Sequence, residues 1–73
     1  MPIYLAPINV PLLVKRLAMD EKTKKHLESL GMVHDAEIRV ISSVSGDVVV
    51  DISGMRLAIS REIGAKVIVA VKG

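Results

Sequence analysis

The sequence predicts a mostly β fold, a small antiparallel β-barrel of about five strands with one inserted α-helix. Three observations lead there. Short β-branched runs recur along the chain, separated by turns rich in glycine and serine. One segment, ending at Gly31, carries its apolar residues at helical spacing, and beyond it they alternate as in a strand. The chain is also rich in Val and Ile, and a barrel removes the exposed edges that such strands would otherwise present.

The elements follow in order. Residues 2–11 contain three prolines and read as an extended piece and a turn, with Tyr4, Leu5 and Ile8 as apolar anchors. Residues 10–17 read as the first strand, with Lys15 and Arg16 near its exit. Asp20 is placed to cap a helix over residues 20–30, and Glu21 puts negative charge in its first turn. Met19, Thr23, Leu27 and Leu30 share one face of that helix, and Gly31 ends it. The apolar Met32 after the glycine is expected to pack back on the last turn.

Residues 36–41 alternate as a strand, with Ala36, Ile38 and Val40 on one face. Residues 42–47 read as a polar turn, 48–52 as the next strand, Ser53-Gly54 as a tight turn, and 55–59 as the returning strand of a hairpin. Residues 60–64 allow one helical turn capped by Ser60. Residues 66–71 close the fold, with Val67, Val69 and Val71 on one face.

The 73 residues form a single domain, 1–73. A domain of this size buries only about 60% of the surface of its unfolded chain, so its core is thin. There is no Cys to staple it, which suits a reducing compartment. The core is left to aliphatic residues, because Tyr4 is the only aromatic. The apolar stretch 1–14 is too short and too broken by proline to span a bilayer, and it lacks the basic start of a signal peptide. A cytoplasmic location is therefore expected.

The net charge is +2, with opposite charges interleaved. Lys22, Lys24 and Lys25 make the densest basic cluster, beside Asp20, Glu21 and Glu28. That run reads as a solvated helix face or as a contact for phosphate, a lipid surface or an acidic partner, with Lys22 and Lys25 pointing the same way. Nucleic-acid binding is not expected, since it needs a basic stripe and aromatic stacking platforms.

No catalytic constellation emerges. His26 and His34 lie outside any HxxH or HExxH arrangement, and Glu28 and Asp35 would complete only a speculative ligand set. Met1, Met19, Met32 and Met55 are scattered, as packing or adaptable contact residues are. The serines have no accompanying base, the glycines form no phosphate-binding loop, and Asp47 and Asp51 form no acid/base pair. Neither an enzyme nor a cofactor or metal site is expected.

The motifs combine into a recognisable order. Leu27-x-x-Leu30-Gly31-Met32 precedes Ile38-x-Val40. The hairpin 48–59 follows, then Ser60-Arg61-Glu62-Ile63 and Val67-Ile68-Val69. With the weaker opening Leu5-Ala6-Pro7-Ile8, this pattern resembles the FeoA family, ferrous iron transport protein A and its relatives, over nearly the whole chain. Three features depart from the family. His34 and Asp35 stand where it usually has Pro-Gly, the glycine common near Pro11 is missing, and Gly64 stands where alanine is usual. The turn before Ile38 is thus where this chain differs.

The resemblance implies an SH3-like barrel with an inserted helix. It also implies a non-enzymatic, cytoplasmic accessory role in ferrous iron uptake beside FeoB, the membrane transporter with a GTP-binding domain. The chain would then reach the membrane only through that partner. The expected contact surface is the rim formed by Met32, Val33, His34, Met55 and Arg56, apolar and soft residues beside turns. Two rival readings remain. One is a small barrel that binds nucleic acid or accompanies a transcription regulator, supported only by a pI near 9.2. The other is an iron-binding protein in its own right, which would have to rely on the two histidines.

Overall fold

The computed structural model describes residues 1–73. The strands are β1 (Leu12–Leu17), β2 (Glu37–Val44), β3 (Asp47–Ile52), β4 (Met55–Ile59) and β5 (Val67–Val71). The helices are α1 (Glu21–Ser29) and the single turn α2 (Arg61–Gly64). One antiparallel sheet runs in the order β4-β3-β2-β1-β5. It curls around a core of 13 buried aliphatic residues, among them Leu12, Val14, Ile38, Val40, Val50 and Val69. Alternation explains the choice: every second residue of β3, Val48, Val50 and Ile52, points inward.

Two bulges bend the sheet. Between β1 and β5 the register slips at Lys15, and between β2 and β3 it slips at Ile41. Each extra residue adds local twist, which turns a flat sheet into a half-closed barrel. The barrel is not sealed by hydrogen bonds, because β4 and β5 are the two ends of the sheet. A 3-10 turn over Ile3–Leu5 packs against β3, β5 and α2, and so fills the open side with Ile3 wholly buried.

The N-terminal segment and β2 depart from expectation. Residues 3–5, expected to be extended, make a 3-10 turn, with Ala6 N–H donating to the Ile3 carbonyl at 3.1 Å. Ser42, Ser43 and Val44, expected in a turn, continue β2 and pair with β3. Only Ser45 and Gly46 turn, with φ of 53° and 89°. Ser53 and Gly54 repeat this at 52° and 85°, the positive pair that a two-residue hairpin requires. Val71 is 48% exposed and leaves the inner face that Val67 and Val69 share.

α1 starts and stops as its sequence dictates. Asp20 caps it by accepting from Thr23 N–H. At the other end Met32 N–H donates to the Leu27 carbonyl and Gly31 N–H to that of Glu28, both at 3.1 Å. This double closure is a Schellman motif, with Gly31 at φ 105° as its left-handed residue. The residue after that glycine packs back on the helix, so Met32 joins Leu27 in the core.

Gly31 has a second reason to lack a side chain: a Cβ there would lie 3.0 Å from Ile52 Cγ2. Gly31→Ala therefore combines backbone strain with a steric conflict. It is expected to cost about 1–3 kcal/mol in urea unfolding, with the fold retained.

Candidate functional site

The Schellman closure sets where the candidate surface lies. Once Met32 turns inward, the next residues must reach β2 within a few positions. They do so through a tight turn: Ala36 N–H donates to the Val33 carbonyl at 3.0 Å, which leaves His34 and Asp35 at its corner. Asp35 has φ 66°, at the position where a type II turn carries glycine. The chain thus keeps a positive φ where its family usually has the glycine of Pro-Gly. Asp is among the side chains that tolerate this region.

Contacts hold the turn in place. Asp35 N–H donates to the Val14 carbonyl at 2.7 Å, and Val14 N–H donates to that of Ala36 at 3.0 Å. Lys15 Nζ lies 2.6 Å from Asp35 Oδ1, and His34 Nδ1 lies 3.4 Å from Asp35 Oδ2. The hydrogen bond from Lys15 holds the Asp35 carboxyl below its ordinary value, and the charges of His34 and Lys15 add to this. Lys72 does the same for Glu37 by hydrogen bond and charge.

The bulge at Lys15 shapes the neighbouring surface. Successive strand residues normally point to opposite faces, yet Lys15 and Arg16 both line one open cleft of about 470 Å³. Lys24 and Glu21 of α1 and His34 of the turn also line it. Among these lining residues are three cations and one carboxylate, so the cleft favours acidic groups. Of the lysine run on α1, it is Lys24 that faces this cleft, not the aligned pair Lys22 and Lys25. The chain has no group of three His, Asp or Glu placed to hold a metal ion.

The five expected contact residues divide. Met32 is 0% exposed and belongs to the core, which removes it from any binding surface. Val33 and Met55 are 46% and 45% exposed, and His34 and Arg56 are also exposed. The contact of Gly31 with Ile52, next to the β3–β4 turn, brings the two loops to one end of the barrel. Lys15 and Arg16 were not foreseen as site residues. A basic pair at a strand's exit was the available signal, and the bulge that aligns it left no mark in the sequence.

A family model described as FeoA domain matches residues 1–71. Solved structures share the fold. An FeoA protein from Chlorobium tepidum superposes with a TM-score of 0.89 at 20% identity, covering 100% of this chain and 71% of the other. An iron uptake regulatory protein (FeoA) gives 0.84 at 23%, covering 94% and 93%. A manganese-dependent transcriptional repressor gives 0.80 at 19%, covering 97% of this chain and 40% of the repressor. No curated protein matches the chain by sequence.

Two outcomes test this geometry. Asp35→Val places a β-branched residue at positive φ and is expected to cost about 1–3 kcal/mol in thermal unfolding, whereas Asp35→Gly keeps the turn. Lys15→Ala should raise the Asp35 pKa toward its ordinary value in a carboxyl NMR titration. The sign follows from linkage. A carboxyl depressed in the folded state stabilises the fold above its unfolded pKa, and that contribution fades as pH falls through the folded value. Lys15→Ala should therefore flatten the loss of stability below about pH 4.

Proposed function

The chain belongs to the FeoA family, and from that premise we propose that it is a non-enzymatic accessory protein of ferrous iron uptake. In this reading it binds the cytoplasmic part of an FeoB-type transporter and modulates it through protein contacts. The observation that carries the reading is the family match over residues 1–71.

The site fits a binding role. Val33 and Met55 supply exposed apolar contact at one end of the barrel, with His34 and Arg56 beside them. The adjoining cationic cleft offers a seat for acidic side chains of the partner. The protein has no helix long and apolar enough to cross a membrane, so in this reading it meets the membrane through its partner. Rim contacts tune association and specificity, while the apolar centre supplies most of the affinity.

The test is capture of detergent-solubilised FeoB-type transporter by the immobilised chain. Val33→Glu and Met55→Glu should each weaken capture about tenfold or more, with the thermal midpoint preserved. Leu5→Glu, at another exposed apolar residue, should not. Met32→Glu should instead unfold the domain, because a buried charge without a partner costs about 3–5 kcal/mol. Unchanged capture by both rim variants would remove this surface from the reading. No capture by the unaltered chain would remove the transporter as partner.

A further inference from the structure

The sheet has two ends, and the chain covers only one of them. At β5 its own first residues add to the edge. Val69 N–H donates to the Met1 carbonyl at 2.8 Å, the Met1 amino group donates to the Val69 carbonyl at 2.9 Å, and Pro2 bridges Ile68. At the other end β4 pairs with β3 alone. Ser53-Gly54 is a two-residue turn, so Ile52–Met55, Val50–Leu57 and Val48–Ile59 are the hydrogen-bonded pairs, because bonded and non-bonded pairs alternate. The main-chain N–H and C=O groups of Arg56 and Ala58 therefore point away from β3. No other group of the chain pairs with them. β4 carries neither the bulge nor the proline that commonly blocks an edge.

The side chains beside this edge define what fits it. Cross-strand neighbours on the outer face form two rows that end at β4. Arg39, Asp51 and Arg56 alternate in charge, and Arg56 is exposed and makes no ion pair. Ser42, Val49 and Ala58 make the second row, which ends small and apolar. Val44, 71% exposed, adjoins it, and an apolar cleft of about 340 Å³ runs along Val44, Val49 and Ala58. An added strand would continue both rows, placing a carboxylate opposite Arg56 and an apolar side chain opposite Ala58. A second copy of β4 centred on Leu57 would set Arg56 against Ala58, with no carboxylate for either arginine. The charges thus select a different occupant.

We propose that the β4 edge receives an extended acidic segment of a partner protein by antiparallel strand addition. In that segment an apolar residue lies opposite Ala58, and an Asp or Glu two residues later lies opposite Arg56. Main-chain hydrogen bonds supply the affinity and these two side chains the selectivity. The proposal rests on the reading of the chain as a partner-binding module and names the chemistry that it binds.

The probe is the peptide acetyl-Ser-Thr-Val-Thr-Asp-Thr-Ser-amide, titrated into the ¹⁵N-labelled chain. Shifts and slowed amide exchange are expected at Arg56 and Ala58. A probe with Lys in place of its Asp should bind about tenfold more weakly. Arg56→Gln should remove that preference while leaving the thermal midpoint in place, because it sets no like charge opposite Asp51. Ala58→Pro removes an outward N–H that the ladder does not use and should abolish binding. Four results would overturn the proposal. These are no shifts at about millimolar peptide, equal binding of both probes, shifts confined to the cleft between β1 and α1, and concentration-dependent shifts at β4 without peptide, which would make a second copy the occupant. No transporter is present in this assay, so its failure is separable from failure of the transporter reading.

Discussion

The left-handed closure at Gly31 is the constraint on which the candidate contact end of this barrel depends. It ties the last turn of α1 to the sheet through Met32 N–H and the Leu27 carbonyl, and it sends Met32 into the core. A Cβ at Gly31 would lie 3.0 Å from Ile52 Cγ2, so a side chain there would have to displace Ile52. With both ends of the segment fixed, residues 33–36 have to turn at once, and they do so against the main chain of Val14. The exposure of Val33 and His34, the pairing of Asp35 with Lys15 and the place of His34 in the lining of the cationic cleft all follow from that geometry. A left-handed residue in the helix terminus therefore governs the shape of a candidate surface that it does not itself join.

The bulges do related work on the sheet. An uninterrupted β1 would send Lys15 and Arg16 to opposite faces, whereas the slip at Lys15 lets both line one cleft. The slip at Ile41 bends β2, and Asn9 N–H reaches the Val40 carbonyl at 2.8 Å beside it, tying the N-terminal segment to the sheet. Curvature and side-chain placement thus arise from the same irregularities. A small aliphatic core can be built this way because every turn of the barrel draws on local backbone chemistry, not on large aromatic plugs.

Much of this fold was legible in the sequence, and the limits have physical causes. Asp20 and Gly31 marked the helix because capping is local chemistry. Ser53-Gly54 marked a hairpin for the same reason. Ser42 and Ser43 misled, since polar residues on the outer face of a strand look like loop residues until the cross-strand partners are known. Met32 misled in the opposite direction: an apolar residue after a glycine is suited either to the core or to a contact surface, and only the Schellman geometry decides. His34-Asp35 kept the positive φ of the family's Pro-Gly turn because Asp, stabilised by Lys15, can stand where glycine usually does. Bulges left no trace, as they depend on register between distant strands.

The strand order carries a consequence for how the chain reaches this state. β2, β3 and β4 form a meander joined by two-residue turns, so their contacts are close in sequence and closing those loops costs little entropy. β1 and β5 join residues from nearly opposite ends of the chain, with Leu12 set against Val71. Their pairing requires ordering almost everything between them. The meander therefore carries the lowest loop-closure cost in the sheet, and the β1–β5 pairing carries the highest. Because β1 carries Lys15, Arg16 and the anchor for Asp35, the cationic cleft depends on this long-range pairing, whereas the β4 edge rests on the meander alone. The cleft and the β4 edge thus differ in how much chain must be ordered to form them, within a single small domain.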